Sequence, residues 1–325
     1  MRYLGVLWTI VIAGALVGTF GGSAHGEYAA DTPARDHAPV EKRRGGGKAA
    51  RERGPVLIAV GDIADCNGGG DMGTAALVRG MNGTLATLGD HVYDSGSKQE
   101  FADCYDPAWR SEKARTRPAA GNHEYETSGA RGYFAYFGNA AGDRDKGYYS
   151  YDLGAWHVIV LNSNCQEVGG CEADSPQGRW LRADLDAHPA TCTLAYWHHP
   201  LFSSGREHGG EVAMQPAWQT LYDAGADVVL SGHEHNYERF ALQDPTGNLD
   251  QRRGIQQFVV GTGGAGHYGF GQPMKTSDAR NAETYGVLVL TLHPESYDWE
   301  FVPVTSRSRE TRGKSFTDAG SMDCR

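Results

Sequence analysis

The stretch Ala226–Phe240, ADVVLSGHEHNYERF, runs an apolar strand straight into two histidines spaced two apart. ADVVL has the continuous apolar character of a strand buried on both faces. His233 and His235 stand where it runs out, with Glu234 between them. In extended backbone, residues i and i+2 share a face. In a loop leaving a strand, both can turn toward one point. Imidazole is the commonest metal ligand, but a His-x-His alone at a loop start carries little, so the rest of the chain has to decide.

The same pattern recurs upstream. Strands are expected at 56–60, 84–88, 156–162, 192–197, 227–230, 256–261, 286–292 and 297–304, and helices at 72–81, 175–187 and 214–224. Ser175 is placed to cap the second helix. Apolar strands alternating with helices predict an α/β layered sheet, and the closer spacing of the later strands predicts a mixed or second sheet. The residues just beyond these strands are polar. VLIAV ends in GDIADC (Asp62), and TLATL ends in GDHVYD (Asp90, Tyr93). Residues 115–120 lead into GNHEYE (Asn122, His123, Glu124), and CTLAYW ends in HHP (His198, His199). In open α/β sheets ligands bind beyond the carboxyl ends of the strands. Each cluster alone reads as a turn. The ordered set of Asp, Asp-x-x-Tyr, Asn-His-Glu, His and His-x-His offers oxygen and nitrogen donors without thiolates, which suits Fe, Mn or Zn.

These motifs, GDIA, GDHVY, GNHE, YWHHP and GHEH, resemble those of the calcineurin-like metallophosphoesterases and, within them, the purple acid phosphatases. The resemblance spans roughly residues 55–305; the one visible departure is Ala64, where the first motif usually has Gly. It implies a layered αββα sandwich with two mixed β-sheets flanked by helices and metals at the strand C-terminal ends. It also implies a ligand set. Asp62, Tyr93 and His235 would hold one ion, Asn122, His198 and His233 the other, and Asp90 would bridge them, the ions lying about 3.5–4 Å apart. A phenolate at Tyr93 implies Fe(III) at the first site, with Zn, Mn or Fe(II) at the second. His123 is the implied phosphate-binding or proton-donating histidine. His208, ten residues after His198, matches a second one, with a plain surface histidine as the competing reading. His199 is expected behind the ligands or in packing, and Glu234 either facing solvent or behind the ligands. The glycine-rich GTGGAGHYGF (261–270) lacks the Lys-Ser/Thr of a phosphate-binding P-loop. It is expected to pack near the metals, with His267 as a residue that could reach the pocket.

The implied reaction is hydrolysis of phosphomonoesters, a metal-bound hydroxide attacking phosphorus. A phosphodiesterase or nucleotidase using the same metals is the alternative. A non-hydrolytic metal or redox protein ranks below both.

Composition bounds the partners. The 325 residues carry 30 Lys/Arg against 40 Asp/Glu, a net charge of −10. The first 54 hold 8 against 5, leaving 22 against 35 in the remainder. So acidic a body argues against a nucleic-acid scaffold but admits a small phosphorylated substrate beside bound cations. Leu4–Phe20 is an apolar run of 17 residues with small ones after it. It predicts a secretory leader over 1–26, a secreted protein and no stable membrane partner; an uncleaved N-terminal anchor facing outside is the alternative. A polar, basic linker is expected over 27–54, a catalytic domain over 55–305 and a tail over 306–325. Six cysteines behind a leader suggest three disulfides among 15 connectivities. Cys165 and Cys171 enclose only five residues and make the easiest pair. Cys66 with Cys104, and Cys192 with the tail Cys324, would then remain.

Overall fold

A computed structural model describes residues 54–305 and 316–325. The expected leader and the linker up to residue 53 lie outside the described residues. In chain order the strands are β1 (Val56–Val60), β2 (Ala64–Asp65), β3 (Thr84–Leu88), β4 (Val92–Tyr93), β5 (Thr116–Ala119), β6 (Tyr149–Leu153), β7 (Trp156–Val160), β8 (Cys192–Tyr196), β9 (Val228–Ser231), β10 (Tyr237–Gln243), β11 (Ile255–Val260), β12 (Ser277–Asn281), β13 (Gly286–His293), β14 (Ser296–Pro303) and β15 (Ala319–Asp323). One six-stranded sheet has the order β15-β14-β13-β1-β3-β5 and a seven-stranded sheet the order β12-β10-β11-β9-β8-β7-β6. Both are mixed. β1, β3 and β5 run parallel while β13 joins β1 antiparallel. In the second sheet β7, β8, β9 and β11 run parallel.

The alternation of side chains across each strand builds the layers. Leu57, Ala59 and Leu88 of the first sheet share one core with Val158, Leu194, Leu230 and Phe258 of the second, so the two sheets pack face to face. Ile58, Val60 and Leu85 point the other way, onto Ala75 and Val78 of the helix Gly70–Arg79 and onto Phe101, Tyr105, Trp109, Tyr133 and Phe137. On the opposite side Ile159, Ala195 and Val229 meet Leu181 of helix Pro176–Ala187 and Trp218 and Leu221 of helix Gln215–Asp223. Apolar residues on both faces explain the uninterrupted hydrophobic runs. A fully buried Leu such as Leu57, Leu194 or Leu230 contributes about 1.5–3 kcal/mol by leaving water. The layers are therefore helix, sheet, sheet, helix, the αββα sandwich expected. Ser175 caps the helix Pro176–Ala187 by accepting from the Gly178 N–H at 3.1 Å.

The cysteines pair as Cys66–Cys104, Cys165–Cys171 and Cys192–Cys324. The last closes 132 residues. The segment that it holds is part of the sheet, because β15 is an edge strand on β14. No helix among the described residues is long and apolar enough to cross a membrane.

Candidate metal centre

Five strand ends deliver the site. Asp62 follows β1, Asp90 follows β3 and Asn122 follows β5 in one sheet; His198 follows β8 and His233 and His235 follow β9 in the other; Tyr93, the seventh, lies in the short β4 just beyond Asp90. The parallel strands of both sheets thus run out at one edge of the sandwich. There the structure brings together all seven residues singled out as ligands. The Tyr93 Oη donates to Asp62 Oδ1 at 3.1 Å and lies 3.3 Å from Asp90 Oδ2 and 3.1 Å from His235 Nε2. His198 Nε2 lies 3.1 Å from Asp90 Oδ2, 3.0 Å from Asn122 Oδ1 and 3.1 Å from His233 Nδ1. His235 Nε2 is 3.4 Å from Asp62 Oδ1. Asp90 therefore touches both subsets.

The backbone is bent to do this. Asp62, Asp90 and His233 have φ of 60°, 48° and 71°, left-handed values that cost an ordinary residue about 1–3 kcal/mol and concentrate at functional sites. The motif glycines are spaces for ligands. A Cβ at Gly121 would fall 2.1 Å from Asp90 Oδ1, and one at Gly232 would fall 2.6 Å from Asp62 Oδ2. Ala64, the departure from the motif, fits: its N–H donates to the His91 carbonyl and it pairs with Val92 in the short β2–β4 ladder.

The donor set fits a pair of cations. His198 Nδ1 donates to the Leu88 carbonyl at 2.8 Å and His235 Nδ1 to the Gly266 carbonyl at 2.7 Å. In the neutral tautomers that leaves each Nε2 lone pair aimed at the centre, the arrangement of a ligating histidine fixed from behind. The charges conflict without a cation. Burial pushes Asp62 up to about 8. Burial opposes the charge of Asp90 too, yet the positive His198 beside it holds it well below the usual carboxylate range. Burial would depress His198, but Asp90 overrides it and lifts it to about 9. Burial, with the Asp62 and Asp90 charges, pushes the Tyr93 phenol far up, so a phenolate there requires a strongly charged partner.

The two candidate proton carriers flank this point. His123 donates its N–H to Asp90 Oδ1 at 3.0 Å, its ring is 4.4 Å from that of Tyr93, and its Nε2 is 4.0 Å from Asp90 Oδ2. His208 is exposed, its ring 4.2 Å from that of His233. His199 lies behind them with Nδ1 2.7 Å from Ser163 Oγ. Glu234 does not face solvent: it is 0 % exposed, turned back into the protein. His267 stacks on Tyr285 at 4.1 Å instead of entering the centre. Its neighbour Tyr268 takes that place, stacked on His235 at 3.9 Å and 11°, and sequence reasoning missed it. For Glu124 the sequence offers only membership of its motif. It is fully buried and gathers the motif loops, accepting from the Asp90 and Gly121 N–H groups at 3.0 and 2.6 Å and from the His91 N–H at 2.8 Å. A cleft of about 410 Å³ opens beside Asn122 and His199, bounded also by Tyr125, Asn164 and Glu211.

A mixed αββα sandwich with metal-type donors at its strand ends defines a class, and the comparison with known families agrees. The chain belongs to the calcineurin-like phosphoesterase family, which it matches over residues 55–237. Among curated proteins it is similar to purple acid phosphatase 21 of Arabidopsis thaliana, 32 % identical over 163 residues covering 43 % of this chain and 36 % of that protein. It is also similar to purple acid phosphatase 22 of the same plant, 31 % identical over 185 residues, 48 % and 41 % of the two chains. The chain thus aligns with less than half the length of these relatives. Among solved structures it resembles purple acid phosphatase PPD1 from yellow lupin (Lupinus luteus) seeds, with a TM-score of 0.63 and 17 % identity over 83 % of this chain and 53 % of that one. It also resembles GAP50, the anchor in the inner membrane complex of Plasmodium, with a TM-score of 0.60 and 14 % identity over 84 % and 90 %. At such identities the structural likeness establishes the fold alone.

Proposed function

We propose that this protein is a dinuclear metal-dependent phosphatase that hydrolyses small phosphomonoesters. The observation that carries this reading is the convergence of seven oxygen and nitrogen donors, six from five strand ends and Tyr93 from β4, on one buried point, with Asp90 reaching both halves. Asp62, Tyr93 and His235 hold one ion, Asn122, His198 and His233 the other. The buried phenol of Tyr93 between two carboxylates favours Fe(III) on its side; Zn, Mn or Fe(II) suits the imidazole-rich side. When bound, the two ions supply Lewis acidity, neutralising phosphoryl oxygens and acidifying water.

The chain's own residues do the rest. His123 Nδ1 is engaged by the Asp94 carbonyl, which leaves Nε2 to bind a phosphoryl oxygen or carry a proton. His208, on the other flank, holds the proton that the departing alkoxide needs, a contribution of about 10²–10⁴-fold. The cleft beside Asn122 and His199 receives the leaving alcohol. Three disulfides, Cys66–Cys104, Cys165–Cys171 and Cys192–Cys324, support an oxidising compartment and with it export.

The test is phosphate release from a panel of mono- and diesters by the wild type and Asp90→Asn. Monoester turnover that falls by several orders of magnitude in the variant supports the reading. Turnover of diesters alone transfers the site to a phosphodiesterase. Equal inertness of both metal-loaded proteins ends the hydrolytic reading.

A further inference from the structure

Glu234 sits between two candidate ligands yet faces away from them. Its backbone belongs to the His233–His235 turn, and its carboxylate is fully buried under the loop that carries His208. Oε1 accepts from the His208 N–H at 2.8 Å and from the Gly209 N–H at 2.7 Å. Oε2 has no hydrogen-bond partner among the described residues. Gly205 lies directly on the carboxyl group, where a Cβ would fall 2.0 Å from the Glu234 Cδ. The rest of the loop is also held from below. Glu238 Oε2 accepts from the Ser204 N–H at 2.8 Å and Gln257 Oε1 from the Phe202 N–H at 3.3 Å. Arg206 donates its N–H to the Gly269 carbonyl, and Gly271 donates to the Ser204 carbonyl. Beyond residue 206, at the exposed tip where His208 sits, Glu234 is the buried side chain that fixes the backbone.

A buried carboxylate is costly to retain unless it is needed. This one spends its hydrogen bonds on the two amides that set where the His208 ring points. We propose that Glu234 is a positioning residue that ties the His208 loop to the His233–His235 turn, so that the proton donor and the metal ligands move as one unit. This rests on the reading of His208 as the donor to the leaving oxygen. The consequence is specific. Losing the tether harms esters of poor leaving groups, which need a proton, and largely spares those of good ones. A structural defect harms both alike.

The experiment uses the metal-loaded protein with glycerol phosphate and 4-nitrophenyl phosphate as substrates. Glu234→Ala and His208→Ala are each expected to lose about 10²-fold in kcat on glycerol phosphate and far less on the nitrophenyl ester. The double variant is expected to be no slower than His208→Ala. Glu234→Gln, whose amide oxygen can accept from both N–H groups, is expected to restore most of the rate. Gly205→Ala, which displaces the carboxyl group without leaving a cavity, is expected to repeat the leaving-group signature if Glu234→Ala folds poorly. Losses that multiply in the double variant, or fall equally on both substrates, overturn the proposal. Amide hydrogen exchange over residues 205–210 separates the two ideas. Faster exchange in Glu234→Ala with wild-type rates on both esters in His208→Ala keeps the tether and removes His208 as the donor. Unchanged exchange in Glu234→Ala removes the tether.

Discussion

Gly121→Ala probes the centre with a single methyl group. The added Cβ would lie 2.1 Å from Asp90 Oδ1, 2.5 Å from the Asp90 nitrogen and 2.8 Å from Asp90 Cγ. Non-bonded carbon and oxygen need about 3 Å or more, so the carboxylate or its backbone must retreat by about 1 Å. Neither has room. The Asp90 N–H and the Gly121 N–H share one oxygen of buried Glu124, and the other Asp90 oxygen contacts His198 and Tyr93. A misplacement of about 1 Å at a catalytic group costs about 10²-fold, and overpacking of this kind costs about 1–3 kcal/mol of stability. Gly121→Ala is therefore expected to lose about 10²-fold or more in kcat/KM on a monoester and to bind less metal, with a native circular dichroism spectrum. Gly69→Ala, where a Cβ meets nothing within 4 Å, is the matched control. If Gly121→Ala keeps its metals and stays within about threefold of wild type, the Asp90 carboxylate is not held rigidly at the centre.

Tyr93→Phe is expected to abolish any visible charge-transfer band of the oxidised protein and to lower iron content while leaving the second ion; absorbance with metal analysis checks both. His157 titrates far from this site, with Nδ1 2.9 Å from Asp152 and Nε2 2.9 Å from Asp184. Burial opposes its charge, but the two carboxylates win and raise it above its ordinary value near 6.5. A raised histidine stabilises the fold fully below that ordinary value and loses the contribution as pH rises through the folded one. Denaturant titrations should thus find His157→Gln most costly below pH about 6 and progressively less costly above neutrality. Replacing Cys192 and Cys324 together by serine frees a 132-residue loop and is expected to cost up to about 5 kcal/mol. Turnover at low temperature should be unchanged, since Cys192 begins β8 and His198 follows its other end.

The strands that build the two facing cores were legible because they are apolar on both faces: VLIAV, TLATL and CTLAYW admit few other readings. The strands at and near the sheet edges were not. β12 (SDARN) and β15 (AGSMD) are polar and half-exposed and carry no apolar run, while β6 (YSYDL) does alternate, Tyr149, Tyr151 and Leu153 facing the shared core, but over only five residues. β5, TRPA, hides behind a proline that a strand tolerates at the rim of a sheet, where β5 lies. The ligand-type residues were legible as an ordered series of short motifs just beyond strands, Gly-Asp, Gly-Asp-x-x-Tyr, Gly-Asn-His and Gly-His-x-His, with His198 following CTLAYW directly and without a glycine. Glu124, Glu234 and Tyr268 were not, since their roles depend on loops meeting across the chain. Glu234 holds residues 208 and 209, and Tyr268 stacks on His235. No local spacing encodes such a meeting. His267 and Tyr268 are adjacent aromatic side chains in a glycine-rich loop, and only the fold decides which of them enters the centre.

In the proposed centre seven residues would hold two ions, with Asp90 shared between them. Anomalous diffraction from crystals of the metal-loaded protein, collected on either side of the iron and zinc edges, tests it directly. Two peaks are expected, one against Asp62, Tyr93 and His235 and one against Asn122, His198 and His233, both in contact with Asp90. A single peak, or peaks away from Asp90, would contradict it.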